Sequence, residues 1–412
     1  MTNPPGLVNA LALRHKALVT GWISPSTEQL TALTSTHGTP LYVYDLSVLR
    51  QRVRRLREAM PATVLFAVKA NPHEGLLRGL RGHVAGLDVA SGGELERALR
   101  CGWSGAELSF AGPGKTRAEL EQALAHDVSL SVESVRELNE VAALAKARGG
   151  VARVRLRLNP ATTARAYRVP MMGVPSPFGI DEEQLGEAMA QVEAHVGVVD
   201  LDGLHVHPGG QCTSVGGFVA AAAASLDLCA RLEREHGVRA RRLNLGGGLG
   251  VLGTGEALDV EAAGRKLKAM IDTYREAMGH VPELLLEPGR WLAAPAGLYV
   301  ARVVSTKQSR GTSFVVLDGG LNHHLAAAGH LFGANAPRLP LLNLSRPDAR
   351  AITCTVVGPL CTPLDVLGDG VTLPQPEVGD LLGIPASGAY GPSFSPVNFL
   401  GHALPAEVVI GA

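Results

Sequence analysis

The chain carries no excess of either charge: 38 Lys and Arg face 38 Asp and Glu in 412 residues. Without a net field nothing draws nucleic acid or an anionic membrane, so the expected partner is a small molecule or another protein. Paired cysteines are also missing. The five cysteines are odd in number and scattered, with no C-x-x-C, which excludes a disulfide framework and points to a reducing, cytoplasmic setting. No basic stretch leads into a long apolar run near the start, and the Ala-rich segment from Phe218 to Leu232 is broken by Asp227. Neither an export signal nor a membrane span is expected. No G-x-G-x-x-G follows a first strand, which removes dinucleotide binding, and no metal site is expected. What is abundant is apolar. A 46% hydrophobic share against 18% charged makes a globular protein, and at this length two domains are expected, since single cores stop growing at roughly 250 to 300 residues.

Eight short β-rich runs recur, each followed by a helix-like stretch: FAVKA, GLDVA, ELSFAG, VSLSV, VRLRLN, DGLHVH, RLNLGGG and ELLLEPG. Strands alternating with helices predict an α/β fold, a (β/α)₈ TIM-type barrel. Helices are expected at Gly92 to Arg100, Val135 to Lys146, Phe218 to His236 and Val260 to Met278, the last two broken internally only by Gly264. After about Pro295 the texture turns to Gly, Pro and Val, with strand-like runs LYVARVVS, SFVVLDGG, AITCTVVG and AEVVI, which predicts a C-terminal β-domain. The expected division is an N-terminal segment 1–39 joining the β-domain, a barrel over 40–295 and the β-domain over 296–412, with LYVYD as the lead into the barrel.

Active sites of such barrels lie at the C-terminal ends of the strands. The residues there are Lys69, Asp88 with Ser91, Gly112, Glu133, Arg157 with Asn159, His207, Gly246, Gly247, Gly248, and Glu287 with Arg290. They are the parts of a pyridoxal-phosphate site. A partly desolvated Lys69 has a nucleophilic amine that can take the aldehyde as a Schiff base. The triple glycine lets backbone N–H groups approach an anion, and Arg290 in EPGR offers a charged fork for the same phosphate. A carboxylate at Glu287 facing the pyridine nitrogen keeps it protonated and makes the ring an electron sink for the carbanion left by CO₂, whereas an arginine there would favour racemisation. His207 is placed to stack on the ring. For His205 a satisfied barrel histidine is an even alternative.

Cys361 sits in GPLCTPLD on a Gly/Pro loop where a thiol can be exposed, and Asp365, four residues on, could fix a substrate amine. Cys101, Cys212, Cys229 and Cys354 are expected to be buried small hydrophobes.

These motifs, together with TPLYVYD, LRLNP, SPFGI, GLHVHPGGQ and GAYG, spread from about Thr39 to Gly391. The chain resembles the alanine racemase-like fold of pyridoxal-phosphate enzymes, and within it the group of diaminopimelate, ornithine and arginine decarboxylases. The resemblance implies an amino-acid decarboxylase acting as a homodimer. It assigns the Schiff base to Lys69, ring stacking to His207, the pyridine nitrogen to Glu287, and further cofactor contacts to Asp88, Arg157, Gly246, Gly247, Gly248, Gly289, Arg290 and Tyr390. It also implies that Cys361, Asp365 and Tyr390 reach into the partner subunit's site to meet the substrate, with the Cys361 thiol reprotonating Cα.

Two departures bear on the substrate. Diaminopimelate enzymes carry an arginine after the DGG-type strand and another in a C-terminal N-x-R-P stretch. Here the segments read DGGLNHHLAAAGHLFG and SPVNFLGHALPAEVV, without arginine. A buried distal carboxylate without its arginine costs several kcal/mol, so free diaminopimelate is not the expected substrate. Gly210 also replaces a family serine that contacts phosphate. The segments look closer to the specialised-metabolism branch, which includes decarboxylases of carrier-protein-tethered aminoacyl groups and those found beside exosortase systems. Arg165, Arg168 and the MMGVPSPFG loop could receive such a substrate, with a solvated basic loop as the alternative. Diaminopimelate decarboxylase proper, a racemase on the same fold, and a non-catalytic pyridoxal-phosphate-binding or partner-binding paralogue are the competing classes; retention of Lys69, Glu287 and Cys361 argues against the last two.

Overall fold

The computed structural model describes residues 23, 25–162, 164–251, 257–329 and 338–411; most of the expected N-terminal segment lies outside the described residues. The described residues form two compact units, one drawn from those within 1–51 and 292–412, the other from those within 52–251 and 257–291.

The second unit is a closed parallel barrel. Its strands are Thr63–Ala67, Gly86–Val89, Leu108–Phe110, Ser129–Val132, Ala152–Asn159, Val199–His205, Arg242–Asn244 and Glu283–Leu286. Leu285 pairs with Thr63 to shut the ring. Each strand falls within or overlaps one of the eight runs seen in the sequence. Several are buried along their whole length, because helices cover the outside and side chains fill the inside. Four of these helices start on side-chain caps. Ser91 opens Gly92–Arg100, Ser134 opens Val135–Ala147, Ser214 opens Val215–His236 and Asp259 opens Val260–Met278, each satisfying an otherwise orphaned N–H. The two long helices end at Gly237 and Gly279, both in the left-handed region that glycine tolerates. Gly264 sits mid-helix because a Cβ there would lie 1.8 Å from the Ala59 carbonyl oxygen. Val215–His236 is long and apolar enough to cross a bilayer, but half of its apolar window is buried within the structure.

The first unit is a β-sheet in which Leu342–Asn343, Leu381–Pro385, Gly297–Ser309, Thr312–Leu317, Ala351–Val357 and Val366–Pro374 lie in that order. Leu41–Asp45, expected as the lead into the barrel, belongs to this sheet instead. It runs antiparallel to Gly297–Ser309, with Leu41 opposite Val300, and parallel to Ala406–Ile410, with Leu41 opposite Ala406. Leu41 and Val43 bury their side chains with Ile23, Leu30, Leu298 and Val300, which is what holds the strand there.

Candidate active site

The C-terminal mouth of the barrel gathers the functional side chains. Lys69 lies in a single 3₁₀ turn, Val68–Ala70, directly after the first barrel strand. Val68 and Ala70 are buried while the Lys69 side chain is 46% exposed, so the turn is anchored and the amine reachable. The Nζ stands 4.0 Å from Asp88 Oδ2. Gly289 packs this turn from the other side, since a Cβ there would lie 2.7 Å from the Ala70 Cβ. Close packing therefore accounts for Gly289. Arg290 opens the short helix Arg290–Ala293 that follows.

Glu287 follows the last barrel strand and is buried. Its Oε1 accepts from Asn244 Nδ2, and its Oε2 is 3.5 Å from His205 Nε2. Both neighbours are neutral. Burial, reinforced by Arg157, pushes the His205 imidazole well below its usual range, and Asn244 carries no charge. Its direct contacts are therefore both uncharged, and Arg155, deeper in the barrel, acts on it only at a distance. Asp88 is buried nearby with Oδ1 lacking a hydrogen-bond partner, and burial together with Glu287 raises its pKa.

Asn244 was not singled out in the sequence, yet it ties the site together. Its Oδ1 accepts from the Gly246 N–H at 2.8 Å while its amide holds Glu287, so one side chain sets both the glycine turn and the carboxylate. The signal was in the L-N-L-G-G-G run itself, where Asn244 ends the strand. Gly246 and Gly248 have φ of +67° and +78°. Added Cβ atoms would lie 2.5 Å from His207 Nδ1 at Gly246, 2.3 Å from the Glu287 carbonyl oxygen at Gly247 and 1.9 Å from the Gly209 carbonyl oxygen at Gly248. Only glycine fits at any of the three.

His207 is partly exposed, and its Nδ1 accepts from the Gly247 N–H at 3.2 Å, which puts the proton of the neutral ring on Nε2. Burial and Lys69 lower its pKa. His205 belongs to the site as well: besides Glu287 it meets Ser131 Oγ at 3.0 Å. Ligating atoms of His205, His207 and Glu287 lie within 4.8 Å of one another.

Several expected contacts resolve differently. Ser91 is a helix cap. Arg157 is committed to Glu133 at 2.8 Å and lies 5.1 Å from the Phe178 ring centroid. Glu133 also accepts from Gly112 N–H at 2.5 Å and Gly179 N–H at 3.1 Å, so Arg157, Gly112 and Glu133 form a buried brace that orders the PSPFG loop. Asn159 joins that brace by donating to Val174 O and accepting from Gly173 N–H. Lys115, unnoticed in the sequence, is a buried strut bonded to Glu137 at 2.6 Å and to the carbonyls of Gly112 and Ser131. Arg165 and Arg168 are exposed beside or on a two-stranded ribbon, Tyr167–Pro170 against Gly209–Cys212, with Gly210 opposite Val169.

In the β unit Cys361 is exposed and Cys354 buried, and Cys101, Cys212 and Cys229 are buried in the barrel unit. Asp365, expected to face a substrate amine, is turned inward instead: its oxygens accept from Leu321 N–H at 2.6 Å and Leu360 N–H at 2.9 Å. Gly320 and Gly358 press against it so closely that a Cβ on either would lie 2.3 Å from its oxygens. Asp365 therefore fixes the backbone next to Cys361. Tyr390 has a φ of +56° and meets Phe394 edge-on at 5.9 Å. The two segments lacking arginine touch each other, through Leu325 N–H to Ser395 Oγ at 2.9 Å and His323 Nε2 with Ala403 O at 2.9 Å.

Residues 46–294 match the family model described as the pyridoxal binding domain of pyridoxal-dependent decarboxylases. The L-glutamyl-[BtrI acyl-carrier protein] decarboxylase of Niallia circulans is 36% identical over 391 residues, covering 92% of this chain and 91% of that protein. The diaminopimelate decarboxylase of Zymomonas mobilis is 31% identical over 392 residues, with 92% and 90% covered. Among solved structures, the diaminopimelate decarboxylase of M. jannaschii superposes with a TM-score of 0.84 at 28% identity, covering 92% of this chain and 88% of that one.

Proposed function

The chain belongs to the pyridoxal-dependent decarboxylases, and from that premise we propose that it removes the α-carboxylate of an amino acid whose distal end is masked, with a carrier-tethered L-glutamyl group as the first candidate. Pyridoxal phosphate, when bound, supplies the electron sink for the pair left at Cα as CO₂ departs.

The buried Glu287 carboxylate, held by neutral Asn244 and beside neutral His205, carries this reading. A buried anion among neutral donors is costly unless a cation meets it, and a protonated ring nitrogen is that cation. Lys69 supplies the amine, reachable and beside Asp88. His207, its Nδ1 fixed by Gly247, offers the flat face of its ring. The Gly246–Gly248 cradle, where any Cβ would collide, lets backbone approach the phosphate, and Arg290 adds charge there. Cys361 returns the proton to Cα, and Tyr390 completes the cofactor's surroundings. Asp365 acts by holding the Cys361 loop.

Cys361 and Tyr390 serve the neighbour's site in a homodimer. Supporting this, the segment following Tyr390 exposes four large apolar side chains, Phe394, Phe399, Leu400 and Leu404, at 46% to 66%, a surface suited to a second copy.

The masked substrate rests on the two segments that meet at Leu325 and Ser395 without any guanidinium, and on the Niallia circulans relative, whose named substrate is glutamyl on a carrier. CO₂ release from meso-diaminopimelate, lysine, ornithine, glutamate and a carrier-bound glutamyl conjugate tests it. Turnover of the conjugate at least tenfold above every free amino acid is expected; efficient turnover of free diaminopimelate overturns it.

A further inference from the structure

The fifth barrel strand, Ala152–Asn159, reads A-R-V-R-L-R-L-N. Its two-residue period puts Arg153, Arg155 and Arg157 on one face. Arg157 reaches Glu133 at the cofactor end. The other two face a cavity of about 140 Å³ at the opposite end of the barrel, lined also by Ser109, Ser129, Arg242 and Glu283, where the strands begin.

Arg155 is buried to within 3% of full enclosure. Its Nη2 donates to Ser109 Oγ at 3.1 Å and Ser129 Oγ at 2.9 Å, both neutral. The Nε and Nη1 have no acceptor, nor does Arg153 Nε. The carboxylates near the cavity are engaged elsewhere. Glu283 takes Arg242 Nε at 2.9 Å and Thr63 Oγ1 at 2.8 Å, Asp202 takes Arg242 Nη1 at 3.1 Å, and Glu107 is bound to Ser104 at 2.7 Å. A guanidinium withdrawn from water with two of its nitrogens unbonded is unfavourable, even though Glu287, Asp202 and Asp88 act on its charge from within the barrel. An anion in the cavity would meet those nitrogens directly and add a counter-charge on their side.

We propose that the N-terminal mouth of the barrel is a second oxyanion site, in which Arg155, assisted by Arg153 and the two serines, binds inorganic phosphate or sulfate. It lies at the other end of the barrel from Lys69, and its occupant is independent of the substrate. Arg155 also shares the barrel interior with Glu287 and Asp88, which oppose the effect of burial on its guanidinium, so an occupied site shields one end of that charge.

The test uses the holoenzyme, saturated with pyridoxal phosphate so that its own phosphate cradle is filled. Phosphate, sulfate and chloride are titrated at constant ionic strength while the melting temperature and calorimetric heat are followed. Phosphate and sulfate should raise the wild-type melting temperature by roughly 1 to 2 °C at ten times the dissociation constant, with chloride less effective. Arg155→Met should melt no lower than wild type without oxyanion, because methionine removes two buried donors that have no acceptor, and should show no oxyanion response. Ser109→Ala with Ser129→Ala should weaken binding several-fold. A flat wild-type response, or equal responses in wild type and Arg155→Met, overturns the proposal. If Arg155→Met fails to fold, a sulfate-soaked wild-type crystal decides: sulfate density against Arg155 supports the site, and none at saturating sulfate removes it.

Discussion

Replacing Glu287 by glutamine keeps the shape of the side chain and removes its charge. The Asn244 amide can still donate to the remaining carbonyl oxygen, so neither the glycine turn nor the strand end should move. On the proposed function, what is lost is one half of a buried ion pair whose other half would be the protonated ring nitrogen. Removing one partner of such a pair costs about 3 to 5 kcal/mol. Taking the lower figure and assigning it to the step in which the ring accepts electrons gives roughly a 150-fold fall in kcat. Pyridoxal phosphate should still bind, since Lys69, His207 and Gly246–Gly248 are untouched. Cofactor content from absorbance and CO₂ release from the same preparation separate the two effects. A variant with full cofactor and more than a tenth of wild-type kcat would refute the pairing of Glu287 with the ring nitrogen. Asn244→Ala, which frees the carboxylate without discharging it, should cost about tenfold by the same assay.

Borohydride treatment followed by peptide mapping should place the cofactor adduct on Lys69; an adduct on any other lysine removes it from the mechanism. Gly248→Ala forces a side chain into a left-handed position at about 1 to 2 kcal/mol and against the Gly209 carbonyl oxygen at 1.9 Å, so cofactor affinity should fall at least tenfold in a fluorescence titration. Gly210→Ala, whose Cβ would meet only Val169 at 3.7 Å, serves as the mild control. His205 and His207 both have depressed pKa values in the fold, so the unfolded chain gains protons first as pH falls below about 6.5, and stability drops by about 1.4 kcal/mol per pH unit for each. The raised Asp88 works the other way, adding stability as pH falls. Urea midpoints from pH 7.5 to 5.5 should therefore decline in wild type and decline less in His205→Asn; identical slopes would show that His205 does not titrate as described. Mixing Lys69→Ala with Cys361→Ala chains should restore part of the activity through heterodimers with one intact site, and no recovery despite proven subunit exchange would place each site within one chain.

The barrel was legible because each of its strands is a short apolar run whose last residues are chemically unusual, and both features are local. Lys69, His207, Glu287 and the three glycines could be found for the same reason. What escaped was non-local. Leu41–Asp45 looks like any strand, and only its partners near residues 300 and 406 decide which sheet it joins. Val366–Pro374 and Leu381–Pro385 are interrupted by Gly and Pro, which hides their period. Asp365 and Arg157 carry the right charge for a ligand, but nearby backbone N–H groups and Glu133 claim them first. Asn244 and Lys115 are commonplace residues whose importance lies in two simultaneous contacts, a property no spacing reveals.

The pairing of Leu41–Asp45 with Ala406–Ile410 also sets an order of events during synthesis. At roughly 5 to 20 residues per second, the early strand waits about 20 to 70 s for its parallel partner, long after every barrel strand has left the ribosome. Until Gly297–Ser309 emerges both flanks of the strand lack partners, and one flank stays open until Ala406–Ile410 follows, so an adhesive edge is exposed to other nascent chains. Messages whose last codons are translated slowly should therefore yield more aggregated protein than those read at an even pace.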